Sequence, residues 1–143
     1  RHLFDEIGLF DERLVSYLED VDWAWRLQLA GYRCLYVPGA IAYHWGSATG
    51  GGALSSYYCG RNFIRVLLKN VPDELLRKHW RAMVWRELAL AIDALSHGRE
   101  PAARARLAGQ AAGLRDIPEM LRLRRDTVTR KRVSNEYLES LLV

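Results

Sequence analysis

Three carboxylates within four residues, Glu19, Asp20 and Asp22, stand just ahead of Trp23, Trp25 and Arg26. Their positions fall in the first turn of a predicted helix, Glu19 to Ala30, which Gly31 closes. Neighbouring carboxylates raise one another's pKa, which moves one of them toward the range where a base works at neutral pH. The positive end of the helix pulls the other way, and acids there serve equally well as caps, each contributing ~0.3–1 kcal/mol. Residue types alone leave both roles open. Asp20-Val21-Asp22 also has a D-x-D spacing, which can grip a divalent ion on a diphosphate. On a helix, however, two such side chains diverge by ~200° and serve one ion poorly.

A second chemical group lies downstream. His44 ends a predicted strand and adjoins Gly46 to Gly52, a segment with four glycines among seven residues. As a neutral imidazole it is able to ligate Mn²⁺ beside carboxylates, although a lone histidine is more often simply hydrogen-bonded. The glycine-rich segment, with Ser47-Ala48-Thr49 inside it, suits a close backbone approach to phosphate. It matches neither GxGxxG nor GxxxxGK[ST] and reads equally as a mobile connection.

The elements that must position these groups change character along the chain. Arg1 to Ile7 reads as a short helical turn stopped by Gly8, and Leu9 to Glu12 as a loop with an apolar plug. After the acidic helix, Tyr32 to Val37 and Ala40 to His44 read as two short strands, separated by Pro38-Gly39. From residue 55 the pattern is helical: 55–70, 73–97, 101–112 ending at Gly113, 117–125 and 136–143. The expected fold is therefore α/β but mainly α, with residues 1–53 as a mixed part and 54–143 as an all-helical extension. Two short strands need a sheet to bury their faces, and the chain opens at Arg1 without an initiator Met, so it reads as a fragment.

Composition narrows the class. Half the residues are apolar and 27% are charged, a globular balance rather than a disordered one. No apolar run is long enough to span a bilayer. Two cysteines, Cys34 and Cys59, allow one disulfide at most and read as free thiols in a reducing compartment. Residues 1–60 balance at −3 and residues 61–143 at +7, which gives the net +4. A basic half points to anionic partners or to a solvated face on Arg-rich helices.

Taken in order, the motifs resemble the second half of family 2 glycosyltransferases, especially rhamnosyltransferase-like members. The resemblance rests on Phe4 to Glu12, Tyr17 to Leu27, Ala30-Gly31-Tyr32, Tyr36-Val37-Pro38, Tyr43 to Ser47, Arg61-Asn62 and Leu68 to Pro72. It implies a GT-A, Rossmann-like nucleotide-sugar fold and an inverting transfer to an acceptor hydroxyl. By that resemblance Asp20 is the general base with Glu19 beside it, and His44 helps hold a divalent ion, Mn²⁺ or Mg²⁺. An upstream D-x-D absent from this sequence would complete that ion's site. Asp22, Trp25, Arg26 and the loop of Gly8, Phe10 and Asp11 would lie near the substrates. Expected partners are a nucleotide-sugar donor and a saccharide or lipid-linked acceptor in cell-envelope synthesis, at a cytoplasmic location.

Residues 73–97 mix Trp80 and Trp85 with Arg77, Lys78, Arg81 and Arg86, which suits peripheral contact with the inner face of a membrane through 73–132. Burial of Trp80, Met83, Val84 and Leu88 against neighbouring helices is the competing expectation. A non-enzymatic helical interaction module is the alternative reading of the whole chain. Nucleic-acid binding through Arg122 to Arg132 lacks any recognised signature and is not expected.

Overall fold

Proline punctuation and side-chain caps set several of the helix boundaries. Val71-Pro72 ends one long helix and begins the next, Pro101 opens another, and Pro118 sits in the first turn of a fourth. Ser134 caps the last helix, its side chain accepting from the Tyr137 N–H. The computed structural model describes residues 2–46 and 51–142. Over these the element order is α1 (His2–Ile7), a 3₁₀ turn (Glu12–Leu14), α2 (Glu19–Leu29), α3 (Ala53–Asn70), α4 (Asp73–Ser96), α5 (Pro101–Arg115), α6 (Ile117–Thr129) and α7 (Asn135–Ser140).

The expected α/β character is overturned. Among the described residues there is no strand and no sheet. Residues 32–37 and 40–44 are irregular and largely exposed, with Tyr43 at 99% and Leu35 at 83%. Their β-branched and aromatic composition fits a pleated surface, but a strand exists only through a neighbour's N–H and C=O groups. Among the described residues no neighbouring backbone supplies them. The backbone of 33–46 makes one hydrogen bond among the described residues, from Ala40 N–H to the Val37 carbonyl. The Rossmann-like expectation therefore falls with the two strands, and the mainly helical part of it stands. Ser47-Ala48-Thr49 and Gly50 lie outside the described residues.

Gly113 does not stop its helix. The helix runs on to Arg115 because Gly113 serves a crossing instead. A Cβ at Gly113 would stand 2.9 Å from the Arg61 carbonyl, one at Gly60 2.8 Å from the Arg106 carbonyl, and one at Gly109 2.1 Å from the Tyr57 carbonyl. Three missing side chains thus let α3 and α5 touch backbone to backbone.

α3 is the hub. Its buried Arg65 reaches Asp116 and Glu119 at the α5–α6 junction. From α6, Arg124 donates to the Leu68 carbonyl at 2.8 Å and to Asp73 at the start of α4. The apolar core has two parts. Leu29, Val71, Leu75 and Leu138 gather Trp25, Leu67, Met83 and Tyr137 around them, and Ile7, Leu27 and Ala30 gather Leu3, Trp23 and Tyr32. Both cysteines are free. Among the described residues no helix is long and apolar enough to cross a membrane.

The crossing makes a prediction. Gly109→Ala places a methyl inside the Tyr57 backbone and is expected to lower stability by ~3 kcal/mol or more, since overpacking against backbone has no cheap relief. Ala111→Gly, on the exposed side of the same helix, should cost only the propensity difference of about 1 kcal/mol. Urea unfolding followed by circular dichroism distinguishes the two.

Candidate functional site

The acidic cluster begins where the backbone is most strained. Val15, Tyr17 and Leu18 all have positive φ, at 65°, 67° and 66°. Around Val15 the chain makes a γ-turn, with Ser16 N–H bonded to the Leu14 carbonyl at 2.7 Å. Such conformations cost ~1–3 kcal/mol each outside glycine and persist only where surroundings enforce them. The enforcer is Asn62 on α3. Fully buried, its amide nitrogen donates to the carbonyls of Leu14, Ser16 and Tyr17 at 2.8, 2.8 and 2.9 Å, two hydrogens shared among three acceptors. One residue earlier, Arg61 donates to the Arg13 carbonyl at 2.9 Å.

The three acids that follow have three different environments. Asp22 is fully buried, and its oxygens accept from Arg26 Nε at 2.9 Å, Lys69 Nζ at 2.6 Å and Asn70 Nδ2 at 2.8 Å. Glu19 is half-buried, with Oε2 enclosed and without a hydrogen-bond partner. Asp20 is exposed, and Oδ1 accepts from the Val21 N–H at 2.8 Å. It has no ion pair among the described residues. A carboxylate held at a helix start and uncommitted to a cation, Asp20 is the one acid of the three that is exposed and so open to an incoming hydroxyl.

Arg26 connects this helix to the preceding loop. Beyond its bond to Asp22 it donates to the Ile7 carbonyl at 2.8 Å and the Leu9 carbonyl at 2.6 Å, and so fixes the turn at Gly8. Gly8 has φ +88°, in the left-handed region that favours glycine. Trp23 donates to the Gly8 carbonyl at 2.9 Å and stacks on Phe4, with Phe10 tilted against it. Asp11 caps the 3₁₀ turn and meets Lys69 Nζ at 2.7 Å. Burial works to raise the Asp11 carboxyl. The Lys69 hydrogen bond and charge, with the Arg13 N–H, outweigh it and hold the group below its ordinary range.

Phe10, Asp11, Arg26 and Lys69 share a cleft of about 690 Å³ also lined by Leu123 and Thr127 of α6 and by Arg130 just past its end. The structure brings these residues together and leaves Asp20 outside that cleft. Trp25 turns away from both and packs on the Leu29–Val71–Leu75–Leu138 core. His44 lies in the exposed segment 32–46. Among the described residues no group of three His, Cys, Asp or Glu side chains is placed to hold a metal ion. The described residues therefore do not fit a divalent ion by themselves, and no chemical step below is routed through one.

Asn62, Lys69 and Asn70 do more to shape the site than the sequence suggested. The available signal was polarity in the wrong place: Asn62 and Lys69 lie on the same helical line as Tyr58 and Val66, a line that packs inward.

No family model matches the chain, and no solved structure does. Over part of its length it is related to a glycosyltransferase. The relatives are N-acetylglucosaminyl-diphospho-decaprenol L-rhamnosyltransferases of Mycobacterium tuberculosis, from strains CDC 1551 / Oshkosh and ATCC 25618 / H37Rv. Each is 45% identical over 51 residues, which is 35% of this chain and 17% of the relative.

These polar contacts make three predictions. Asp22→Ala should destabilise the fold by roughly 3 kcal/mol, because it removes the one carboxylate of Arg26 and leaves the buried Lys69 with Asp11 alone. Asn62→Ala should cost about 1–3 kcal/mol by leaving buried carbonyls unpaired; urea midpoints measure both. The Asp11 carboxyl, held low in the fold, contributes stability that is complete above about pH 4 and lost as the pH falls through its folded value. Asp11→Asn should flatten that acid limb of the urea midpoint against pH.

Proposed function

We propose that the chain forms the acceptor side of a glycosyltransferase that moves a sugar from a nucleotide diphosphate donor to a hydroxyl with inversion. Asp20 is its general base, and residues 1–53 belong to the catalytic part, with 54–143 as the helical support. The observation that carries this reading is the sorting of the three acids: Asp22 buried and fully paired, Glu19 half-buried with Oε2 enclosed, Asp20 exposed and without an ion pair among the described residues. The partial likeness to a rhamnosyltransferase supports the class.

In the reaction the acceptor O–H gives its proton to the Asp20 carboxylate as the oxygen attacks the anomeric carbon. The C–O bond to the diphosphate breaks on the opposite face, and the nucleotide diphosphate departs with the electron pair. The base must therefore sit opposite the leaving group and within hydrogen-bond reach of the acceptor. A rigid helix start, preceded by a strained turn that Asn62 locks, holds a carboxylate in one place for that task. Arg26 and Asp22 hold the Gly8–Asp11 loop, where the acceptor or diphosphate would rest. The divalent ion would find a donor in His44 and its remaining ligands outside the described residues.

The test is substitution in a complete transferase that carries this segment. Asp20→Asn should lower kcat by about 10²–10⁴-fold, the size of a general-base contribution, with the donor KM changed little. The product's anomeric configuration, read by NMR coupling, should be opposite to the donor's. A D20N enzyme of normal kcat, or a retained configuration, overturns the assignment. The 143-residue chain alone is expected to transfer no sugar, and turnover by it would show that the described residues suffice.

A further inference from the structure

Helix α4 carries charged or polar side chains at ten of its 24 positions, yet a contiguous part of its solvent-facing side is apolar. A contiguous exposed apolar patch marks an interaction surface. Its inward side supplies Leu75 and Ala94 to the core, while Trp80, Val84, Trp85, Leu88, Ile92 and Leu95 remain outside. Trp80 is 54% exposed and Trp85 69%. At 100° per residue these six fall in one sector ~140° wide, running for some 22 Å of helix. Beside the stripe, an apolar groove of about 450 Å³ opens between α3, α4 and α5. The packing of Trp80, Val84 and Leu88 expected from the sequence is thus incomplete.

Charge decides what fits this face. Arg77 and Arg81 lie within the same sector, at its N-terminal end, and make no ion pair or hydrogen bond among the described residues. Every acid of α4 is engaged elsewhere: Asp73 by Arg124, Glu74 by Asn135, Glu87 by Arg86 and Gln110, Asp93 by His97. From Arg77 to Leu95 the exposed stripe carries no carboxylate. A second copy packed through the same stripe would bring no carboxylate to those arginines. An anionic lipid surface supplies both needs at once, phosphate for the arginines and an apolar boundary for the rings.

We infer that the Arg77–Leu95 face of α4 is a docking surface for anionic membrane, with α4 lying in the plane of the headgroups. The inference does not rest on the transferase reading, since it uses no residue of the Asp20 site.

Co-sedimentation of the 143-residue chain with vesicles tests it. Binding is expected to equimolar phosphatidylglycerol and phosphatidylcholine vesicles, and to be at least tenfold weaker with phosphatidylcholine alone. Arg77→Gln with Arg81→Gln should weaken binding by about tenfold or more, from the usual contribution of two surface cations. Trp85→Gln keeps the charge and touches no core cluster; it should also weaken binding, and the wild-type tryptophan emission should shift to the blue on vesicles. Circular dichroism of each variant verifies the fold. Equal binding to both vesicle types, or binding unchanged in a folded W85Q variant, overturns the inference. So does a stable dimer in analytical ultracentrifugation that ignores vesicles.

Discussion

The ammonium of Lys69 sits between two carboxylates from separate elements, Asp11 from the loop after α1 and Asp22 from the first turn of α2. Burying Asp22 completely is costly unless its charge is met, and three donors meet it. Those donors reach into every part of the N-terminal region. Arg26 holds the Ile7–Leu9 carbonyls, Lys69 holds the 3₁₀ turn, and Asn70 is the last residue of α3 before the Pro72 restart. The polar cluster does here what an apolar core does elsewhere. It fixes the register of three short elements that bury little surface of their own.

From that constraint follows the division of labour among the acids. The residue at the start of α2 that is most buried is spent on architecture, and its neighbour two positions earlier is left to the solvent. Adjacent positions on a helix diverge by ~100°. A helix start docked on one side therefore cannot bury all its acids, and the polar clamp determines which one stays outside.

Legibility in the sequence followed periodicity and punctuation. The helices and most of their boundaries were readable because apolar spacing, prolines and glycines carry local information. Gly113 was misread because a glycine that ends a helix and one that admits a neighbouring backbone look alike in one dimension. The strands at 32–37 and 40–44 were misread because β composition states a capacity, whereas a strand is a relation to another backbone. At the site, the acids and the Gly8–Asp11 loop were visible as residue types. The fates of Asp20 and Asp22 were not, since they depend on Asn62, Lys69 and Asn70, some 40 to 50 residues away in sequence.

The exposed segment 32–46 has a practical side. It presents Leu35, Tyr36, Val37, Ile41, Tyr43 and Trp45 to water, and its main-chain donors and acceptors find almost no partner among the described residues. Such a segment is a template for any other extended chain, including its own twin on a second molecule. The surface open to such templating is thus this extended segment and not the packed helices. Arg33 and the Pro38-Gly39 break are the local features that oppose it.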